Sequence, residues 1–377
     1  MAGIYFHIPF CKTRCPYCDF FSVVHLSEKG RLVEALTREL AIRKDYLKGS
    51  AIETVYFGGG TPSLMPVNTL TSLLEKVYQG YPVSDHPEIT LECNPDDLDV
   101  KYIKELRSVY DFRINLGVQS FDDRELAFLG RRHGADKARE ALQILLDHGF
   151  SNVGIDLIYG LPVSTSESWH RNLEEAFRFP IQHLSAYHLT IEPGTPFYKQ
   201  LQKGKLHEIS EDKNTRQFRM LMEHASNQGF EHYEISNFAR PGYHSRHNTH
   251  YWKGIPYLGV GPSAHSFNGT SRQWNVSDLE RYIESAEQGK VDAETETLTH
   301  LDHFNEYIMT GLRTQWGLSI QTLREKFTDF YDAAFQNQIK QFEKQGWVKT
   351  ENSSIRLTSE GKFLSDYIIQ RLFKTEG

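Results

Sequence analysis

Short apolar runs alternate with longer helical segments along the first half of the chain. The helical segments carry apolar residues at helical spacing, as in Leu32, Ala35, Leu36 and Leu40. Strands that alternate with helices imply a parallel sheet with crossover helices. The pattern therefore predicts an α/β fold of six βα units, either an open doubly wound sheet or a complete or partial barrel. The six apolar runs occupy residues 3–8, 54–57, 89–93, 112–118, 153–158 and 183–190.

Polar and glycine-rich residues gather directly after the predicted strands. The first strand leads into a loop with three cysteines, and the next four end at residues 58–62, 92–95, 117–119 and 156–160. Function collects at the C-terminal ends of the strands in such folds, so five strands point at one predicted pocket. The glycines at 58–60 fit either a tight turn or a backbone that lies against a ligand, and their place opposite the cysteine loop favours ligand contact.

The most specific chemical signal is the spacing C-x3-C-x2-C formed by Cys11, Cys15 and Cys18. Iron–sulfur clusters are normally held by four thiolates, so three leave one iron of a 4Fe-4S cluster open to another ligand. The alternatives are zinc, which needs a fourth protein ligand, and a disulfide, which needs an oxidising compartment. The remaining cysteine, Cys93, is expected to be a small buried side chain, since as a fourth ligand it would close the cluster.

Beyond residue 183 the regular alternation ends, and an amphipathic helix is predicted near 213–228. A histidine-rich stretch follows, in which His244, His247 and His250 precede Tyr251 and Trp252. This combination offers an imidazole to iron and flat apolar faces to a porphyrin. The alternative is that these are surface histidines on a loop whose aromatic neighbours pack against the barrel.

The last ~80 residues form a separate unit by the usual linker reasoning, with its boundary in the polar stretch 288–299. Helical patterns at 301–313, 320–327 and 332–345 precede a hairpin whose turn contains Asn352. Three helices and a hairpin predict a winged-helix-like fold. Acidic residues lie among the basic ones on the second and third helices, so a lid or docking role is favoured over DNA reading.

Composition narrows the function class. The 377 residues suffice for about two to three domains, and the formal net charge of −7 argues against a nucleic-acid binder, which needs a concentrated basic face. No apolar run approaches the ~20 residues that span a bilayer, and the first ten residues lack the basic start and apolar core of a signal peptide. A cytoplasmic location, where thiols stay reduced, is therefore expected.

Several motifs together resemble the radical S-adenosylmethionine superfamily: the cysteine motif with an aromatic residue before its last Cys, and the strand that ends in Gly-Gly-Gly-Thr-Pro at 58–62. Within that superfamily, stretches 5–11, 117–120, 156–162 and 247–252 resemble the oxygen-independent coproporphyrinogen III oxidase group, and more narrowly its heme-chaperone branch. The resemblance covers nearly the whole chain. It implies a partial (β/α)6 barrel, here followed by a winged-helix-like α+β domain.

The resemblance also implies cofactors. Cys11, Cys15 and Cys18 would hold a 4Fe-4S cluster, with the amino and carboxylate groups of S-adenosylmethionine on the open iron. Heme is implied as a further ligand, with His247 and His250 as candidate iron ligands.

A set of residues at the strand ends is implied for the S-adenosylmethionine site. Carboxylates such as Glu92 and Asp156 accept hydrogen bonds from ammonium and hydroxyl groups, and Arg131 grips a carboxylate. The alternative for these three is an ion-pair network at the barrel mouth. The implied residues are Tyr5, Tyr17, Gly59, Gly60, Thr61, Glu92, Gln119, Arg131 and Asp156.

Two departures set the chain apart from the oxidases. The oxidase group carries a further Cys two residues beyond the cluster motif, and this chain has Phe20 at that position. The oxidases also have an N-terminal extension ahead of the cluster, whereas this chain begins its first strand almost at once. The sequence therefore predicts a heme chaperone that passes heme to acceptor proteins, and it leaves open whether the chain is an enzyme. The alternatives are a radical enzyme that oxidises a porphyrinogen or another tetrapyrrole, and a DNA-linked regulator that works through the C-terminal unit.

The predicted division has three parts: a barrel with the cluster loop at 1–200, a connecting segment with an HNxxYW motif at 201–290, and a winged-helix-like domain at 291–377. The expected partners are heme, heme-acceptor proteins and an electron donor for the cluster. Nucleic acid is not expected as a partner, and no transmembrane segment is expected.

Overall fold

Six parallel strands form the centre of the main sheet in the computed structural model, which describes residues 1–375. The last two residues of the predicted C-terminal domain, 376 and 377, lie outside the described residues. Each strand pairs with the next along the chain, as the alternating pattern predicts. The strands are β1 (Ala2–Ile8), β2 (Ile52–Gly59), β3 (Val83–Cys93), β4 (Phe112–Gln119), β5 (Val153–Tyr159) and β6 (His183–His188).

Helices connect these strands and cover the sheet. In the first helix the buried positions recur at helical spacing, from Leu32 through Leu36 to Leu40, because one face packs on the sheet. The helices are α1 (Lys29–Ile42), α2 (Val67–Gly80), α3 (Val100–Val109), α4 (Asp123–Phe128), α5 (Ala135–Asp147) and α6 (Ser166–Arg178).

The connecting segment extends the same sheet at both edges. Two antiparallel strands follow β6. A further parallel strand, β9 (Tyr257–Val260), lies beside β1, and three more antiparallel strands continue the sheet from it. Within residues 1–375 the two outer strands are not paired with each other, so the barrel is open and the predicted partial barrel is confirmed. These elements are α7 (Pro196–Gln202), α8 (Glu211–Asn227), β7 (Glu231–Glu234), β8 (Asn237–Ala239), α9 (Arg246–Trp252), β9 (Tyr257–Val260), β10 (His265–Phe267), β11 (Ser271–Asn275), α10 (Leu279–Glu287) and β12 (Ala293–Thr297).

A buried carboxylate on α1 holds β9 and its neighbours in place. Glu39 is 1% exposed, and its oxygens accept hydrogen bonds from the Gly261 amide at 2.9 Å, the Asn275 amide at 2.8 Å and the Tyr282 hydroxyl at 2.6 Å. Arg43, one turn later, pairs with the same carboxylate at 3.2 Å. Because buried polar groups are costly unless they are hydrogen-bonded, this network fixes the connecting segment against α1.

The C-terminal unit has its own hydrophobic core, built on side chains such as Phe304, Ile308, Phe335 and Ile368. Its hairpin turns at Asn352 and Ser353, which have φ angles of 49° and 59°, as a two-residue hairpin loop requires. The winged-helix-like order of helices and hairpin is as predicted. The elements are α11 (His300–Leu312), β13 (Leu318–Ser319), α12 (Ile320–Lys326), α13 (Ala333–Lys344), β14 (Val348–Glu351), β15 (Ser354–Leu357), α14 (Ser359–Lys362) and α15 (Ser365–Leu372).

Polar contacts attach this unit to β7 and α8. The Lys362 ammonium lies 2.7 Å from Nδ1 of His232, Arg219 pairs with Glu360 at 2.8 Å, and the Gln315 amide donates to the Tyr233 carbonyl at 2.9 Å. The three-part division of the chain stays a prediction, since strands of the connecting segment belong to the barrel's sheet. No helix among the described residues is both long and apolar enough to cross a membrane.

Glu39→Gln should destabilise the protein by about 2 to 4 kcal/mol, because it leaves Arg43 as a buried charge without its partner. Denaturant unfolding of the full chain measures this. The control is Glu34→Gln on the same helix, whose ion pair with Arg38 is exposed and which should cost less than about 0.5 kcal/mol. Equal losses in the two variants would contradict the role given to Glu39.

Candidate functional site

The cysteine loop leaves the end of β1 and folds back on itself. The Cys11 amide donates to the Val23 carbonyl at 2.9 Å, and the Val23 amide donates to the Pro9 carbonyl at 2.8 Å. His7 on β1 reaches the Phe21 carbonyl with Nε2 at 2.9 Å. Burial lowers the pKa of His7 to about 4, so the ring is neutral and donates this hydrogen bond. The loop is therefore anchored at both ends before any ligand binds.

The three loop cysteines are free and half-buried, and they line one cavity at the C-terminal ends of the strands. The cavity has a volume of about 410 Å³. Burial raises the pKa of the Cys11 and Cys18 thiols, while the Thr61 hydroxyl, 3.5 Å from the Cys11 sulfur, opposes the shift at Cys11. Burial therefore favours the neutral thiols at these two positions.

The glycine triplet brings β2 against the cysteine loop. A Cβ on Gly60 would lie 2.7 Å from the Pro9 carbonyl carbon and 2.8 Å from the Phe10 oxygen, which is closer than real Cβ contacts. Gly59 has a φ of 107°, and its amide donates to Glu92 at 3.1 Å. Both glycines also line the cavity. The glycines of β2 thus allow its backbone to approach the cysteine loop closely, and they also form part of the cavity wall.

A row of polar side chains crosses neighbouring strands inside the open barrel. Glu92 on β3 accepts a hydrogen bond from the Tyr56 hydroxyl at 2.6 Å, and Asn115 on β4 donates to both oxygens of Asp156 on β5 at 3.0 Å. Burial raises the pKa of Glu92 to about 7 and that of Asp156 to about 6. Glu92 is therefore only partly charged at neutral pH, and each carboxyl is fully charged only well above its raised pKa or when a cation reaches it.

Arg131 connects the cysteine loop to this row. Its Nη2 donates to Asn94 at 2.5 Å and to the Gly117 carbonyl at 2.9 Å, and its Nη1 lies 3.7 Å from the Cys15 sulfur. Its Nε is buried and has no hydrogen-bond partner among the described residues. The guanidinium thus places a positive charge beside the thiols.

The donor set fits an iron–sulfur cluster better than a single metal ion. Within residues 1–375, no three side chains of His, Cys, Asp or Glu converge closely enough to hold one metal ion. Each thiolate of a 4Fe-4S cluster binds a different iron, so three cluster ligands do not need to meet at one point. Cys93 is 4% exposed and lies within the hydrophobic core at the end of β3, as the sequence predicts.

Eight of the nine residues implied for S-adenosylmethionine line the cavity, and Tyr5 does not. The Tyr5 hydroxyl instead lies 3.1 Å from Nδ1 of His7. Sequence reasoning missed Tyr56, Asn94 and Asn115. A polar residue between apolar neighbours in a strand, such as Asn115 between Ile114 and Leu116 in β4, is the signal that points to the cavity.

His247 and His250 lie away from this cavity, on the short helix α9. The alternative of surface histidines on a loop is wrong, because the Ser245 side chain caps a helix here and both histidines are buried. His247 is 1% exposed, with Nδ1 2.7 Å from the Thr54 hydroxyl and Nε2 2.8 Å from the Tyr251 hydroxyl. Both ring nitrogens are therefore occupied within the protein. His250 is 5% exposed and lies 3.6 Å from the Glu53 carboxylate.

Glu92→Gln should stabilise the cluster-free protein at pH 8 by about 1 to 3 kcal/mol. The folded-state pKa of about 7 lies above the ordinary value of 4.5, so stability falls as pH rises between these values and the cost is fully present above pH 7. Near pH 5 the gain should shrink below about 1 kcal/mol. Unfolding at pH 5 and pH 8 measures the difference.

The matched control for this prediction is Glu105→Gln, since that side chain is 52% exposed on α3. It should change stability by less than about 0.5 kcal/mol at either pH. A gain in Glu92→Gln that is the same at pH 5 and pH 8 would show that ionisation of Glu92 is not its cause.

Comparison with known proteins finds relatives that align with most of the chain. The family model of the radical SAM superfamily matches residues 5–176, and that of the HemN C-terminal domain matches residues 298–364. A heme chaperone HemW of Bacillus subtilis is 32% identical over 371 residues, which cover 98% of each chain. The mitochondrial radical S-adenosyl methionine domain-containing protein 1 of Danio rerio is 33% identical and aligns over 85% of this chain and 74% of its own.

Among solved structures, coproporphyrinogen III oxidase (HemN) from Escherichia coli has the same fold, with a TM-score of 0.83 over 99% of this chain and 90% of that one. Its sequence identity of 22% supports likeness of fold alone. The near-complete alignment with HemW relatives and the matching radical SAM and HemN C-terminal models agree on one assignment. The chain belongs to the HemW family within the radical SAM superfamily.

Proposed function

We propose that this protein is a heme chaperone, which binds heme and passes it to acceptor proteins, and that it carries a 4Fe-4S cluster and S-adenosylmethionine. The observation that carries the proposal is the alignment over 98% of both chains with a relative named heme chaperone HemW. The acceptor proteins and an electron donor for the cluster are its expected partners. Free thiols at the cluster loop favour a reducing compartment such as the cytoplasm.

The cavity at the strand ends is the proposed cofactor site. Cys11, Cys15 and Cys18 would hold the cluster, and its open iron would take the amino and carboxylate groups of S-adenosylmethionine. A cluster with bound S-adenosylmethionine supplies one-electron chemistry, while the protein supplies binding and orientation. Glu92 and Asp156 are acceptors for an ammonium or a ribose hydroxyl, and Arg131 adds a fixed positive charge.

An oxidase-like activity on a porphyrinogen or another tetrapyrrole is the second candidate. The stretches 5–11, 117–120 and 156–162, which resemble the oxidase group, favour it. Phe20 counts against it, because it stands where the oxidase group has a further Cys. This side chain is 65% exposed and lines the cavity wall.

The cysteine assignment predicts different results for two substitutions. After anaerobic reconstitution, Cys18→Ala should lose the cluster, because only two of its thiolates remain. The control Cys93→Ala should keep about four irons per chain and a paramagnetic signal that responds to S-adenosylmethionine. Iron analysis and electron paramagnetic resonance measure both. Loss of the cluster in Cys93→Ala together with its retention in Cys18→Ala would overturn the assignment.

The chaperone proposal predicts heme transfer without porphyrinogen turnover. The reconstituted protein, loaded with hemin, should deliver heme to the apo-form of a b-type hemoprotein, which absorption of the acceptor after separation detects. The same preparation with S-adenosylmethionine and a reductant should not decarboxylate coproporphyrinogen III. Product formation at about 0.1 per second or faster would favour the oxidase alternative.

A further inference from the structure

A second and larger cavity lies between the connecting segment and the C-terminal unit. Its volume is about 1300 Å³, which exceeds the usual ~300–1000 Å³ of pockets for drug-sized ligands. Helix α9, strands β9 and β10 and helices α11 and α12 contribute its walls. The space therefore suits a ligand larger than a typical metabolite.

Aromatic side chains form much of the wall. Tyr251 and Tyr257 pack edge to face with ring centroids 4.5 Å apart, and Tyr257 lies 6.4 Å from Phe267. On the side of the C-terminal unit, Tyr307 stacks with Phe327 at 5.4 Å. Flat apolar surfaces of this kind are suited to a planar, largely apolar ring system.

Helix α11 presents one continuous face to this cavity. His300, His303, Tyr307 and Thr310 all line it and recur at intervals of three or four residues, so they lie above one another on the helix. His300 packs against Phe327 with ring centroids 5.5 Å apart. His303 is half-buried; its backbone amide donates to the Thr299 carbonyl at 3.1 Å, while its imidazole forms no hydrogen bond within residues 1–375. Its imidazole nitrogens are therefore available to a ligand in the cavity.

Two lysines supply uncompensated positive charge at the same cavity. Lys253 and Lys326 line it and form no ion pair with any residue in the range 1–375. The Lys253 ammonium lies 4.4 Å from the centroid of the Trp316 ring. Arg272, in contrast, is already paired with Glu306 at 2.6 Å. The lysines are thus the free partners for carboxylates of a bound ligand.

The two cavities of the protein share a wall. Tyr187 on β6 lines both of them, and it is 43% exposed although its strand has neighbours on both sides. A ligand in the larger cavity would therefore lie next to the proposed cluster site without using the cluster cysteines.

We propose that the larger cavity binds an iron tetrapyrrole with carboxylate side groups, that His303 is an axial ligand of its iron, and that Lys253 and Lys326 meet its carboxylates. The inference rests on the proposed heme-chaperone function and names the site of the cargo. It differs from ligation by His247, whose two ring nitrogens are already hydrogen-bonded. Imidazole is a common ligand of heme iron, and exposed ammonium groups are natural partners for propionates.

Titration of the full-length protein with hemin and with metal-free protoporphyrin IX tests this site. His303→Ala should weaken hemin binding about tenfold or more and shift the Soret band, while protoporphyrin IX affinity changes less than about twofold. Added imidazole should restore the Soret position in this variant. Lys253→Glu with Lys326→Glu should weaken both ligands, because the carboxylates are common to them.

Two further variants serve as controls. His170→Ala removes an exposed histidine on α6, which is absent from the cavity wall, and should leave both affinities unchanged. His247→Gln should keep the hemin spectrum, provided that circular dichroism confirms the fold. A changed spectrum in folded His247→Gln together with an unchanged one in His303→Ala would place the ligand on α9 and overturn the proposal.

The outcomes separate this inference from the proposed function. If the wild-type chain binds hemin and His303→Ala binds it with the same affinity and spectrum, the site assignment is wrong while the chaperone function stands. If the wild-type chain does not bind hemin at all, the chaperone function itself fails.

Discussion

The carboxylate of Glu39 is the constraint on which both cavities depend. It lies in the interior of the protein and is satisfied by groups that come from three places in the chain after residue 260. Its partners hold β9 beside β1, so β1 has a parallel neighbour on each side. A strand with two neighbours is a firmer base for the cysteine loop than an edge strand, whose unpaired groups are open to water and to other chains.

The contacts of Glu39 that hold β9 beside β1 also position one wall of the larger cavity. Tyr257 belongs to β9, and Phe267 belongs to β10, which pairs with it. Arg272 on β11 reaches across to Glu306 on α11 and so joins this edge of the sheet to the C-terminal unit. A single buried charge on the first helix therefore influences how the last unit sits against the barrel. Since removing one member of a buried charged network leaves the others uncompensated, such an arrangement tolerates little change.

In the cofactor cavity, unlike at Glu39, the buried carboxyls reduce the stability of the protein. Glu92 and Asp156 are buried near each other, and burial raises the pKa of each carboxyl. Without a bound cation, these carboxyls make the site less stable than one lined by apolar residues would be. Binding of a cation such as an ammonium group recovers part of this cost, which links ligand affinity to the strain of the unliganded protein.

The sequence predicted the six central strands because buried parallel strands read as apolar runs, with glycine and polar residues at their ends. It also predicted the hairpin turn at Asn352, since that turn depends on local chemistry. Strands β7 to β12 were missed, because runs of three to five residues carry little periodic signal and their pairing partners are far away in the chain. The cysteine and glycine motifs located the first cavity, but the contact of Asn115 with Asp156 joins residues 41 positions apart and has no local signature.

The histidine-rich motif places its side chains in two different surroundings. On α9, His247 turns towards β2 and Asn248, Tyr251 and Trp252 line the larger cavity. Tyr251 takes part in both, since its hydroxyl forms a hydrogen bond with His247 and its ring lines the larger cavity. The motif thus divides into a histidine that fixes the helix to the barrel and aromatic residues that the helix presents. Under the proposed assignment, loss of His247 acts on ligand binding only through the position of Tyr251, whereas His303 on α11 lines the cavity directly.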